Sequence, residues 1–197
     1  MEIEKITKIK ADYVCADLSQ FSQIDLMCEN LKQKYKHLDI LILNAGMYHP
    51  NDKKIEYIEM PNKKRAEFTF SVNHLSNFYL LQKILPLLKN SSAARIIHVS
   101  SIAHNNCTFN EKNIDTPKSS YEAYALSKLC NVLFSNSLTR KFKENQISHI
   151  TSNSLHPGIV TTNLLSNMGF NGSHSLKQGN FLLSFFFFFI HIFSFLF

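Results

Sequence analysis

The chain has 197 residues, 45% hydrophobic and 18% charged; that is enough apolar surface for one globular core and too much for a disordered polymer. Its net charge is +6, yet the basic residues gather only at Lys53-Lys54 and Lys63-Lys64-Arg65, without an arginine-rich arm or aromatic interleaving. This reads as solvated surface and excludes nucleic acid as the partner. The four cysteines are scattered with no CxxC pair, which excludes a disulfide framework or zinc site and points to a reducing, cytoplasmic compartment.

Residues 13–16 (YVCA) are expected to form a short strand ending at Asp17-Leu18-Ser19. A helix follows, marked by Phe21, Ile24, Met27, Leu31 and Tyr35 at three- and four-residue steps. Residues 38–43 (LDILIL) are nearly all apolar, the pattern of a strand buried on both faces of a parallel sheet, and Asn44-Ala45-Gly46 stops them. A polar loop to about Pro61 leads into helical periodicity from about Glu67 past Asn73 and Tyr79 to Leu88. Residues 95–99 (RIIHV) form the next strand and end at Ser100-Ser101. After a loop, Ser119-Ser120-Tyr121-Glu122 contains the Ser-x-x-Glu capping box, so a helix starts there and runs toward Lys143. Residues 150–155 give a last strand, broken by His156-Pro157-Gly158. Strands alternating with helices predict an α/β fold with a parallel sheet and right-handed crossovers, whose ligands bind beyond the carboxyl ends of the strands.

Residues 181–197 break with this composition and hold nine of the 17 phenylalanines. As a helix the segment would span roughly 25 Å, short of the ~30 Å hydrocarbon core of a bilayer. Three readings stay open: low-complexity sequence unrelated to the fold, which we prefer; a marginal anchor giving membrane contact and membrane attachment; and a buried helix.

Tyr124 and Lys128 have the Tyr-x-x-x-Lys spacing, which puts both on one helix face. An ammonium beside a phenol favours the phenolate, lowers the tyrosine pKa from about 10 and readies it for proton exchange. The spacing alone is weak evidence, because Tyr79 and Lys83 share it; that pair lies in an apolar helix with no serine strand-end before it and reads as packing plus a solvated lysine. Context favours Tyr124. Ser101 stands at a strand end just before its helix, where a hydroxyl can hydrogen-bond a substrate oxygen. Asn73, inside a helix, is by itself an ordinary solvent-facing asparagine.

Taken in order, Asn44-Ala45-Gly46, Asn73, Ser101, Tyr124/Lys128 and Pro157-Gly158 resemble the short-chain dehydrogenases/reductases. The runs FSVNHLSNFYLLQ, SKLCNVLFSN and SLHPGIV are similar to the branch holding the retinol dehydrogenases and the WW-domain-containing oxidoreductases, and the resemblance covers about residues 10–168. It implies an NAD- or NADP-dependent hydride transfer to or from a lipophilic alcohol or ketone, steroid- or retinoid-like. It makes Tyr124 the general acid/base, Lys128 the residue that tunes it and holds the nicotinamide ribose, Ser101 the group orienting the substrate, and Asn73 the anchor of a relay water. Asp17 and Leu18 would lie at the adenine, Asn44, Ala45 and Gly46 along the cofactor, and Pro157, Gly158 and Thr162 near the nicotinamide. A homo-oligomer is a further expectation.

The sequence also departs from that family. Its five glycines are Gly46, Gly158, Gly169, Gly172 and Gly179, so the glycine-rich turn that brings backbone N–H groups to the pyrophosphate is missing, as is the second strand. The implied architecture is a partial Rossmann-type, doubly wound parallel sheet lacking its first two strands and that turn, N-terminally truncated, over residues 1–168, with 169–197 as the phenylalanine-rich tail. Strand 13–16 is expected to close the gap by pairing beside 38–43, giving the order 3-4-5-6, and NAD(P)H is expected to bind poorly. No tryptophan is present, hence no WW module in this sequence, and Ser76 stands where relatives carry glycine. A truncated, non-catalytic interaction protein is the competing reading.

Overall fold

The computed structural model describes residues 8, 10–49, 55–114, 116–159, 164 and 167–169. Helix α1, Phe21–Lys34, turns Phe21, Ile24 and Cys28 inward and ends on Lys32 and Lys34, cations that suit the negative end of a helix dipole. Strand β1, Ile40–Leu43, follows. Two three-residue strands, β2 (Tyr57–Glu59) and β3 (Arg65–Glu67), then pair antiparallel with Ile58 opposite Ala66. Helix α2 begins at Phe68–Phe70, passes through a π-helical turn at Ser71–Leu75 and continues as Ser76–Lys89. Glu67 caps its start by accepting the Phe70 N–H at 2.6 Å.

Strand β4, Ala94–Val99, leads into a 3₁₀ turn, Ile102–Asn106, and a short helix α3, Glu111–Ile114. Helix α4, Ser120–Glu144, starts at the expected cap: Ser119 Oγ accepts the Glu122 N–H at 3.1 Å. Strand β5, Ile150–Leu155, completes the described elements.

The main sheet is parallel in the order β1-β4-β5, with Leu41 opposite Ile96 and Ile97 opposite Asn153. One of its faces carries the principal core, where Phe21, Ile24, Leu81, Ile84, Leu88 and Phe142 of the three long helices meet Leu43, Ala94, Ile96 and Ile150. On the other face Ile97, Val99 and Leu155 form a small cluster of their own, while Ile40 and Ile42 are 48% and 42% exposed.

Two expectations are corrected. Residues 13–16 form no strand; they run free of any ladder, with Tyr13 76% exposed. The order 3-4-5-6 is therefore not formed, and the described sheet is its 4-5-6 part. A run of β-formers becomes a strand only when a neighbour takes its N–H and C=O groups, and here none is seated beside it. The polar loop to Pro61 is also not all loop, since it contains β2. Among the described residues no helix is long and apolar enough to cross a membrane. The tail 181–197 and Thr162 lie outside the described residues.

Candidate active site

The carboxyl ends of β1 and β4 and the first turns of α4 bring four residues into one cluster. Tyr124 and Lys128 lie one turn apart on α4, both almost wholly buried. Ser100 and Ser101 follow β4, and both face α4. Ser100 Oγ donates to the Lys128 carbonyl at 2.8 Å, locking the helix backbone to the strand end. The Ser101 hydroxyl lies near enough to the Tyr124 phenol to lower its pKa. Ser101 Oγ also accepts the Ala103 N–H at 3.3 Å, and His104 Nδ1 sits 2.6 Å from the Ser101 carbonyl oxygen, so the 3₁₀ turn holds the serine from behind.

Asn73 projects from the π-helical turn. Its Oδ1 accepts the Met47 N–H at 2.7 Å, and its Nδ2 donates to the Met47 carbonyl at 2.9 Å and to Ser127 Oγ at 3.1 Å. Ser127 in turn donates to the Tyr124 carbonyl at 2.6 Å. The asparagine thus ties the end of β1 to the helix bearing Tyr124 and Lys128. Gly46 completes the enclosure: a Cβ at this position would stand 3.1 Å from Lys128 Nζ and 3.4 Å from Asn73 Oδ1.

Burial sets the electrostatics. It drives the Lys128 ammonium down to about 8, with Nζ donating to the Val99 carbonyl at 3.1 Å. It also raises the Tyr124 phenol, against the lowering effect of the Ser101 hydroxyl. This corrects the expectation that lysine lowers the tyrosine: Lys128 Nζ lies over the phenol ring, 5.6 Å from its centre, and desolvation of the phenolate wins.

Beside the phenol is an apolar wall. Tyr48 meets Tyr124 edge-on at 5.8 Å between ring centres, and Ala103, Tyr121, Leu164 and Met168 pack into the same cluster. Such a wall suits an apolar substrate body next to a polar reacting end.

The expected cofactor residues are less gathered. Asn44, Ala45 and Gly46 lie exposed after β1, at the strand end, and Pro157-Gly158 follow β5. Gly158 has φ +85°, a conformation that favours glycine. Leu18 packs against the principal core. Asp17 is exposed and bonds locally, accepting from the Ser19 N–H at 2.9 Å and the Ser19 hydroxyl at 2.7 Å, which holds its carboxyl below the usual range. Sequence reasoning assigned no role to Tyr48, Ser127, Asn131 and His104; Ser127 and Asn131 lie in the run SKLCNVLFSN, whose resemblance marked the family but not their contacts. The decoy pair is settled: the Tyr79 hydroxyl donates to Asp25 at 2.9 Å and Lys83 reaches the same carboxylate at 2.8 Å, clamping α2 to α1.

The open backbone at Gly46 and the buried Lys128 fit the ribose and nicotinamide half of a dinucleotide. Comparison with known proteins defines the class. The profile of the family described as short chain dehydrogenase matches residues 1–170. The chain is 37% identical over 151 residues to retinol dehydrogenase 14 of Mus musculus, covering 75% of this chain and 42% of that protein. It is 34% identical over 166 residues to the WW domain-containing oxidoreductase of Gallus gallus, covering 79% and 38%. A short chain dehydrogenase from Escherichia coli solved with NADPH shares the fold with a TM-score of 0.60 at 20% identity, over 81% of this chain and 60% of that one. The chain belongs to the short-chain dehydrogenase/reductase family, whose members are oxidoreductases using NAD or NADP. It spans less than half the length of the two curated relatives named here.

Proposed function

We propose that this chain carries the proton-transfer machinery of an NAD(P)-dependent oxidoreductase acting on a lipophilic alcohol or its carbonyl partner, of steroid or retinoid type. The observation that carries the reading is the placement of Ser101, half-buried, beside the buried Tyr124, with the buried Lys128 and Asn73 close by at the strand ends. The apolar wall of Tyr48, Ala103, Leu164 and Met168 supports the substrate class, as do the retinol dehydrogenases among the relatives. Four free cysteines agree with a reducing, cytoplasmic setting.

When bound, the nicotinamide supplies or takes the hydride at the substrate carbon. The rest falls to the protein. Ser101 and Tyr124 present two hydroxyls to one substrate oxygen. With its pKa raised, Tyr124 holds its proton at neutral pH and donates it to a carbonyl oxygen that is gaining charge; in the reverse direction it receives that proton. Lys128 puts a positive charge within reach of the phenolate formed when the proton leaves. Asn73 and Ser127 fix the helix face on which both residues stand.

The test is turnover of retinaldehyde and of a steroid ketone with millimolar NADPH or NADH, for the native chain and for Tyr124→Phe. Carbonyl reduction lost in the variant supports the reading. Native protein inactive on both substrate types at saturating cofactor sinks it and favours a non-catalytic interaction role.

A further inference from the structure

The carbonyl oxygen of Asn73 lies inside the π-helical turn, where the regular helical ladder is interrupted. It takes two side-chain amides: Asn77 Nδ2 at 2.8 Å and Asn131 Nδ2 at 3.1 Å. Asn131 stands on α4, one turn beyond Lys128, and is 1% exposed. Its Oδ1 lies 2.9 Å from His74 Nδ1. A backbone carbonyl can only accept, so the amide must turn its NH₂ to Asn73 and its oxygen to His74, and His74 must donate through Nδ1. Amide, imidazole and π-helical turn therefore fix one another.

We propose that Asn131 is a positioning residue of this site: by holding the Asn73 carbonyl in the π-helical turn, it keeps the Asn73 side chain on the Met47 backbone and beside the Lys128 ammonium. A π turn holds one residue more than the α-helix it interrupts. Relaxing it would rotate the residues on one side by roughly 100° and swing Asn73 off Met47 and away from Ser127. Nothing else in the motif set explains a wholly buried asparagine at 131. Its counterpart one turn further, Ser135, is equally buried but bonds Ser152 at 3.1 Å, remote from Asn73, and so provides a control.

The kinetic consequence rests on the oxidoreductase reading; the positioning does not. Tyr124 on α4 and His74 on the π-helical turn are both held neutral by burial at neutral pH, so the titration of Lys128 reports how dry its surroundings are.

Label the chain with ¹³Cε-lysine and follow Lys128 by NMR from pH 6 to 11, in native protein, Asn131→Leu, Asn131→Ala and Ser135→Ala. The native midpoint near 8 should rise by a unit or more in Asn131→Leu and in Asn131→Ala as water enters, and stay put in Ser135→Ala. With NADPH and retinaldehyde, kcat of Asn131→Leu should fall at least tenfold with KM changed less than twofold. If Asn131→Leu does not fold, the Asn131→Ala midpoint set against Ser135→Ala decides. Lys128 midpoints in the Asn131 variants matching that of Ser135→Ala would overturn the proposal. Native protein without turnover would count against the oxidoreductase reading and leave the Lys128 comparison to judge this one.

Discussion

The ammonium nitrogen of Lys128 lies over the ring of Tyr124, 5.6 Å from its centre, and donates to the Val99 carbonyl at 3.1 Å. Both groups are buried, and burial moves both pKa values toward the neutral forms, the phenol upward and the ammonium down to about 8.

Tyr124→Phe keeps the ring against Tyr48 and removes only the hydroxyl. Reduction rates should fall by about 10²–10⁴-fold, the usual worth of a placed acid, while loss of the one hydroxyl changes stability by no more than about 1 kcal/mol. Steady-state kinetics and denaturant unfolding check both. A variant retaining a tenth of native turnover would remove Tyr124 from the chemistry.

Lys128→Met should kill activity yet stabilise the fold at pH 7. The folded-state pKa of Lys128 is about 8, against about 10.4 unfolded. Between those values the unfolded chain binds more protons, so stability climbs as pH rises through the window and is missing below it, by about 3 kcal/mol. Methionine avoids that burial of charge but loses the bond to Val99, leaving a gain of about 1–2 kcal/mol. Unfolding midpoints at pH 7 and pH 10 test it; a loss of stability at pH 7 would show the charge to be well compensated.

His98 is fully buried against the Phe134 ring, with Nε2 3.2 Å from Ser152 Oγ, and desolvation brings it down to about 4. Its folded pKa lies below the unfolded value of about 6.5. Stability is therefore whole above pH 6.5 and drains away as pH falls toward 4, by about 3 kcal/mol from this residue. His98→Leu should flatten that part of the acid limb. Equal slopes for variant and native protein between pH 6.5 and 4.5 would rule His98 out as the source.

Tyr79→Phe should leave turnover unchanged and alter stability by no more than about 1 kcal/mol, because its hydroxyl serves an exposed carboxylate, Asp25. A tenfold fall in kcat would mean that the helix clamp reaches the site.

Much of this was legible in the chain itself. The apolar runs at 38–43 and 95–99 read correctly as strands, but burial on both faces holds for β4 and not for β1, whose Ile40 and Ile42 face outward 48% and 42% exposed. Ser119 and Glu122 announced the helix that carries Tyr124, since capping is a local bond. Strands β2 and β3 escaped notice because three residues show no period. The π-helical turn escaped because Asn131 and Ser127, which support it, lie more than fifty residues away. At 13–16 local propensity pointed to a strand, and a missing neighbour decided otherwise. The phenol's shift was misjudged for a related reason: spacing placed an ammonium nearby but carried no information on how dry the surroundings would be.

Gly46 offers a way to silence the site without touching any reacting atom. Glycine-to-alanine there would push one methyl to within 3.1 Å of the Lys128 nitrogen, at the movable end of a long side chain. The core lies elsewhere, so the fold has no reason to fail. Gly46→Ala would be a folded protein with a displaced ammonium. In a cell such a variant would separate what the chain does by turning over a substrate from what it does by being present.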